Sequence, residues 1–162
     1  MVSTGIVIKK ATEKHLKDIE KLSYEVFEYH YHLVPNFFAK KDENSNSHYY
    51  YDLKEKLKDK EKAIFLVAIK DRAVVGYLSA LVLDKPWRKI NPLCSLDEIG
   101  VLESYRNLGI GKALFNALKK ECKKRKLGDI TLNVYANNTR AINFYKKLGC
   151  HITSMRMDIE IK

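Results

Sequence analysis

The sequence has little of what marks specialised scaffolds. It holds only three cysteines, Cys94, Cys122 and Cys150, far apart, with no CxxC pair and no histidine at zinc-finger spacing. A disulfide framework or zinc site is therefore not expected, and the three read as reduced thiols or small core residues. Long hydrophobic runs are also missing. Ala63 to Ile69 and Ala73 to Leu83 are the longest, and a bilayer span needs about 20 consecutive apolar residues. The opening MVSTGIVIKKATEKH has no apolar core of secretory type and no small-residue cleavage site after one, so a cytoplasmic location and no membrane partner are expected. Repeats, linkers and low-complexity tracts are absent. A hydrophobic content of 46% with 10% aromatic residues excludes the disordered and collagen-like classes.

What is present is one domain's worth of chain, 162 residues, able to bury about 70% of its unfolded surface. Thirty basic against 20 acidic residues give a formal charge of +10, which favours anionic partners without choosing among them. The densest cluster runs from Lys119 to Lys126. Ala113, Leu114, Ala117, Leu118 and Cys122 recur on its other side, so it reads as the solvated face of an amphipathic helix. A nucleic-acid patch is the weaker reading, because no aromatic residues are interleaved to stack on bases.

Periodicity orders the elements. Ile6, Val7 and Ile8 form a short strand. Thr12 is a plausible N-cap for a long helix through Leu16, Ile19, Leu22, Val26, Phe27, His30 and Leu33 that Pro35 stops. Lys40 to His48 reads as a polar surface loop, the one candidate lid, and Tyr49 to Lys60 as a second helix. Asp71-Arg72 joins two β-branched runs as an antiparallel hairpin, and a further strand lies near Ser95 to Val101. Gly109 and Gly111 precede the basic helix, which ends at Gly128. Ile130, Leu132 and Val134 alternate as a strand, and Asn138 to Leu148 is a short helix closed by Gly149. Met155, Met157, Ile159 and Ile161 alternate in a last strand, which either closes the sheet or pairs across a homodimer. The fold class expected is α/β (α+β): one domain over residues 1–162, with a mixed, mostly antiparallel sheet of six to seven strands and about four flanking helices.

The chemistry concentrates in Glu98 to Ala113. A strand, a turn with two glycines and a helix start follow one another. Such an end offers amides without intrahelical partners and the positive end of the helix dipole, flanked here by Arg106 and Lys112. That suits a pyrophosphate. Two familiar phosphate motifs fail: a dinucleotide fingerprint needs glycine at Leu114, and a P-loop needs glycine at Arg106 and Ser or Thr at Ala113. Gly100, inside an apolar strand, marks a bulge or a close approach of backbone or ligand. A pyrophosphate on the turn with an amide-bearing arm along this strand describes coenzyme A.

Arg106-Asn107-Leu108-Gly109-Ile110-Gly111 resembles the R-x-x-G-x-G/A acyl-CoA motif of the GNAT superfamily of N-acetyltransferases. Val101 stands at the place of the valine in that family's motif strand. Asn138 to Gly149 is similar to the family's N-x-x-A-x-x-F-Y-x-K-x-G block. Glu103 and Cys150 depart from it, standing where many members have proline and an aromatic residue. The resemblance implies acetyl-CoA as acetyl donor, no metal, and contacts to the donor from Ile99, Gly100, Val101, Arg106, Asn107, Leu108, Gly109, Ile110, Gly111, Lys112, Asn138 and Tyr145. It also implies that backbone N–H groups at Ile99 to Val101 hold the developing oxyanion and that Tyr145 protonates the departing thiolate.

An acceptor amine with pKa about 10 is mostly protonated at neutral pH, so a base or a water relay should help, and Glu98 is the candidate base. Asn138 reads equally as an N-cap. His30, His32, His48 and His151 could act as bases on paper, but helix packing explains His30 more simply. In similar proteins the region holding Tyr24, Tyr29, Tyr31, Phe37, Phe38 and Tyr49 to Tyr51 walls the acceptor site. The acceptor expected is a small-molecule amine. A protein N-terminus or lysine stands as the alternative, as does a non-catalytic acyl-CoA or nucleic-acid binding module. A polyamine would need a local acidic pocket, for which Asp42, Glu43 and Asp52 are the carboxylates at hand.

Overall fold

Three consecutive strands in the middle of the chain build the sheet through short connections. The computed structural model describes residues 5–35, 37 and 53–161. Strand β2 (Ala63–Lys70) turns at Asp71-Arg72 into β3 (Ala73–Leu83), and both turn residues have left-handed φ angles, 49° and 67°. That backbone matches the twist of a two-residue hairpin. Strand β4 (Leu93–Val101) continues the meander, β1 (Val7–Lys10) pairs antiparallel outside β2, and β5 (Ile130–Leu132) pairs parallel with β4. The order is β1-β2-β3-β4-β5.

Helix α1 (Leu16–Leu33) lies on one face and α3 (Ile110–Lys124) on the other. Residues 53–58 form a helical segment, α2, and α4 is Thr139–Lys147. The α1 face buries Leu16, Ile19 and Leu22 with Leu53, Phe65, Val67 and Tyr77. The α3 face buries Ile64, Leu66, Leu78, Ala80 and Leu96 with Ile110, Leu114, Phe115 and Leu118. Apolar stripes at helical spacing thus meet alternating strand faces on both sides. Cys94 and Cys122 meet in the α3 core as free thiols. Their mutual hydrogen bond and burial push the Cys94 thiol far up, so it stays protonated. The basic stretch 119–126 keeps Lys119, Lys120, Lys123, Lys124 and Lys126 exposed, while Arg125 binds the Glu121 carboxylate and the carbonyls of Glu61 and Ala63.

The sheet has five strands among the described residues, not six to seven. The missing strand is the C-terminal one: residues 151–161 join no ladder, and their apolar side chains face solvent. Alternation makes a strand only where an edge accepts it, and the β5 edge is three residues long. The helix expected over Tyr49 to Lys60 is helical at 53–58 but not at 59–60, and residues 49–52 and the expected lid at 40–48 lie outside the described residues.

One irregularity positions the site. In the β3–β4 ladder Leu96 pairs with Ala80 and Glu98 with Ser79, so Asp97 is an extra residue on β4. Strict alternation from Cys94 and Leu96, which face α3, would turn Glu98 toward α3 as well. The bulge shifts the phase, so that Ile99 and Val101 face α3 and Glu98 meets Ser23 of α1. Gly100 then lies under the Tyr77 ring, where an added Cβ would stand 2.5 Å from Tyr77 Cε1 and 3.0 Å from Val26 Cγ2.

Two outcomes follow. Because Tyr77 is fully buried and has no room to yield, Gly100→Ala should lower stability by about 1–3 kcal/mol in urea unfolding; an unchanged midpoint would refute this packing. The Thr12 N–H donates to His15 Nδ1 at 2.9 Å, and burial, with Lys14 and Lys9 nearby, lowers the His15 pKa below its ordinary value. Its contribution is therefore complete above about pH 6.5 and lost as pH falls through the folded pKa. The melting temperature should drop between pH 7 and 5, and His15→Gln should flatten that drop.

Candidate active site

The ladder between β4 and β5 consists of Cys94↔Ile130, Ser95↔Thr131 and Leu96↔Leu132. Beyond it β4 runs on to Val101 while β5 ends. The β4 edge over residues 97–101 therefore faces a gap rather than a strand, and main-chain groups there are left for another partner. Arg106 Nε takes one of them, donating to the Val101 carbonyl at 3.2 Å, and its Nη1 reaches Glu103 at 3.2 Å.

The turn after β4 ends against this edge. Asn107 and Gly109 both have left-handed φ, 63° and 79°. Gly109 is the N-cap of α3 and supplies no side-chain cap, so the first amides of α3 have neither an intrahelical nor a capping partner. Gly111 brings α3 close to Phe144: a Cβ there would lie 3.2 Å from Phe144 Cζ. Lys112 and Leu108 are exposed, but the Ile110 side chain is buried. Ile110 can meet a ligand only through its backbone, and the partly buried Ile99 and Val101 side chains pack on the α3 core.

Glu98 and Tyr145 lie on opposite faces of the sheet. Tyr77 OH donates to Glu98 Oε2 at 2.8 Å and Ser23 Oγ at 3.3 Å. Tyr145 packs in the α3 core against Phe115 and Phe144, with ring centroids 6.2 and 5.1 Å away. Burial, with a smaller contribution from Cys150, pushes its hydroxyl well above the ordinary tyrosine value. That hydroxyl has no hydrogen-bond partner among the described residues.

Asn138 joins the two sides. Its Oδ1 caps α4 by accepting the Ala141 N–H at 3.0 Å and also accepts Tyr29 OH at 3.4 Å. Only 4% of the residue is exposed. Asn137 Nδ2 donates to the Leu33 carbonyl at 2.7 Å, and the Arg140 guanidinium lies 4.5 Å from the Tyr29 ring centroid. The end of α1 is thereby latched to the start of α4.

Sequence reasoning missed three things. Tyr77 and Ser23 anchor Glu98, yet each sits in an apolar pattern that reads as core. His30, set aside as packing, edges the Tyr135 ring at 5.5 Å and feels the Glu98 charge. Burial outweighs that charge and lowers its pKa. His32 pairs with Glu28 at 3.8 Å and His151 is exposed. The third is a cleft of about 690 Å3 between α1 and the turn, lined by Tyr24, Glu25, Glu28, Tyr29, Glu103 and Arg106. Asp42, Glu43 and Asp52 lie outside the described residues, as do Phe38, His48 and Tyr49 to Tyr51. Tyr24 is hydrogen-bonded to Glu28, which raises its pKa. A second cleft, about 490 Å3, lies at the far end of the sheet by the Asp71-Arg72 turn and shares no residue with the groove. No cluster able to hold a metal occurs among the described residues, and no helix there is long and apolar enough to cross a membrane.

Known proteins resemble this chain in sequence or in fold. An N-alpha-acetyltransferase of Sulfurisphaera tokodaii is 38% identical over 107 residues, 62% of this chain and 63% of its own length. The chain thus matches less than two thirds of that relative. A crystal structure of a mutant BH1408 protein from Bacillus halodurans superposes with a TM-score of 0.83 at 23% identity, covering 96% of this chain and 99% of the other. AAC(6')-Iy in complex with the bisubstrate analog CoA-S-monomethyl-acetylneamine superposes at 0.73 and 18% identity, covering 97% and 98%. At these identities both structures speak for the fold alone. The sequence profile of the Acetyltransferase (GNAT) family matches residues 19–150, most of the chain including the turn, both strands of the groove and α4, and the protein belongs to that family.

Proposed function

We propose that this protein is an N-acetyltransferase that moves the acetyl group of acetyl-CoA to a primary amine by direct attack on the thioester. The observation that carries the reading is the bare β4 edge opening where β5 leaves it, beside a helix start without a side-chain cap. When bound, acetyl-CoA supplies an activated acyl group, a diphosphate and an arm with two amides. The α3 amides from Ile110 to Lys112, the turn Arg106 to Gly109 and the Lys112 charge fit the diphosphate. The edge from Ile99 to Val101 fits the arm and offers an N–H to the acyl oxygen. Asn138 Nδ2, which no described residue engages, is the group it retains for the arm.

Glu98 takes the proton of the acceptor ammonium, directly or through water, while Tyr77 and Ser23 hold its carboxylate in place. Tyr145 stays protonated at neutral pH because it is buried, which suits an acid that returns a proton to the thiolate. Donor and acceptor approach from opposite faces of the sheet. The carboxylates of Glu25, Glu28 and Glu103 in the α1 cleft favour a cationic small-molecule amine as acceptor. The name of the Sulfurisphaera relative favours a second reading, a protein α-amine.

Acetyl-CoA at a hundredfold excess over its dissociation constant should raise apparent stability by about 2.7 kcal/mol. An equal rise with ATP and NAD would reduce the groove to a generic anion site and sink the reading. Tyr145→Phe should cut coenzyme A release at least about 100-fold while leaving that stabilisation intact; unchanged release would remove the acid role and favour a binding module. With its pKa raised, Tyr145 should impose no fall in rate between pH 7 and about 10. Glu98→Gln should depress release by a similar factor, with the loss shrinking as pH rises and the amine deprotonates unaided.

A further inference from the structure

The basic charge of this chain is not spread evenly. From Ser104 to Met157 the sequence carries twelve basic residues and two carboxylates, Glu121 and Asp129. The whole formal charge of +10 lies in that stretch, because basic and acidic residues outside it are equal in number. An asymmetry of this size points to a polyanionic partner. The fold concentrates it further. Both carboxylates are engaged, Glu121 by Lys10 and Arg125 at 3.1 and 3.0 Å and Asp129 by Arg88 at 3.0 Å. The arginines are engaged as well: Arg106 on the Val101 carbonyl, Arg125 on those of Glu61 and Ala63, Arg140 over the Tyr29 ring and Arg156 on Asp158.

What is left is lysine. Lys112, Lys119 and Lys123 stand at i, i+7 and i+11 of α3 and form one stripe about 16 Å long, with Lys120 and Lys124 beside it. Lys119 acts on the Cys150 thiol, so the end of α4, with Lys146 and Lys147 exposed, borders the same face. None of these lysines makes a hydrogen bond or ion pair with a described residue. The exposed positions of α3 are its lysines and Asn116 alone. A protein interface needs an apolar core and a membrane-binding helix needs apolar side chains to insert; this face has neither. It also has no aromatic ring to stack on single-stranded bases and no arginine to read a base edge. Recognising RNA as such takes contacts to 2′-hydroxyls, for which Asn116 is the one neutral polar side chain. The phosphates of a double helix need only the point charges that are there.

We propose that the lysine face of α3 binds double-stranded DNA through its phosphates, without reading sequence. At about 3.4 Å of helix axis per phosphate of one strand, the stripe spans about five phosphates. Helix α3 lies across the sheet from α1, so the duplex and the α1 cleft are on opposite sides of the molecule. Only Lys112 is shared with the donor groove, and the contact rests on the lysines beyond it.

Fluorescence anisotropy of a labelled DNA duplex of about 20 base pairs, titrated with the full chain at about 50 to 200 mM NaCl, tests this. Binding should saturate with a micromolar dissociation constant at the lowest salt and weaken at least about 100-fold at the highest, since each phosphate contact adds about 0.9 to the logarithmic salt slope. Lys119→Gln/Lys123→Gln should lower that slope by about 2. Lys14→Gln/Lys17→Gln on the N-terminal side of α1, which removes the same charge, should leave it unchanged. Glutamine keeps the helix propensity of lysine, and far-UV circular dichroism and melting of both variants should match the wild type, which separates lost binding from lost folding. The single strand and vesicles containing phosphatidylserine should bind about tenfold more weakly, and an RNA duplex of the same sequence no more tightly than the DNA. Absence of saturable binding at the lowest salt overturns the proposal. So does an equal loss from both pairs of substitutions, which would reduce the contact to bulk charge. A single strand or vesicle bound as tightly as the duplex, or an RNA duplex bound tenfold more tightly, overturns the partner and with it the proposal.

Discussion

The extra residue in β4 is the constraint on which the site depends. Asp97 shifts the phase of the strand, and that shift turns Glu98 toward α1 while leaving Ile99 and Val101 in the α3 core. Had the ladder stayed regular, the carboxylate would share a face with Cys94 and Leu96, among aliphatic side chains able to offer it no hydrogen bond. A buried unpaired carboxylate either neutralises or destabilises the fold. Here two hydroxyls meet it, and a glycine beneath Tyr77 makes room for the ring that carries one of them. Bulge, glycine and tyrosine form one device, and none serves its purpose alone.

Much of this was legible in the chain. The Asp71-Arg72 hairpin, the helix from Leu16 to Leu33 and the turn at Gly109 follow from local rules about side-chain period and backbone freedom. The turn's resemblance to an acyl-CoA motif led to the family. Gly100 was legible as an anomaly but not as a cause: its neighbour is Tyr77, twenty-odd residues away in sequence, and only the β3–β4 register brings them together. The bulge itself has no signature in Leu96-Asp97-Glu98, which alternates acceptably either way. Ser23 and Tyr77 look like core because their polar ends are satisfied by a residue from another strand or helix. The C-terminal strand was expected from a sound periodicity, but a strand needs an edge, and periodicity carries no information about edges.

The charge distribution separates what the fold needs from what it leaves over. Arg125 and Glu121 tie α3 to the start of β2 and, through Lys10, to β1. The neighbouring lysines take no part in this and stand in solvent. Across the molecule, the α1 cleft collects carboxylates within a chain of strong positive charge. Carboxylates and exposed lysines are thus gathered in different parts of the molecule.

The three-pair ladder between β4 and β5 also has a dynamic meaning. The β2–β3–β4 meander is closed by short turns, so its pairings are local and cheap in loop entropy. β5 reaches the sheet only after the whole of α3 and is then held over Cys94 to Leu96. The far wall of the groove is therefore the part of the sheet with the fewest bonds to break. It can part and reclose while the meander stays folded, a local opening far below the cost of global unfolding. The sheet is rigid where the Tyr77 and Ser23 hydroxyls hold Glu98 and compliant where β5 flanks the open β4 edge.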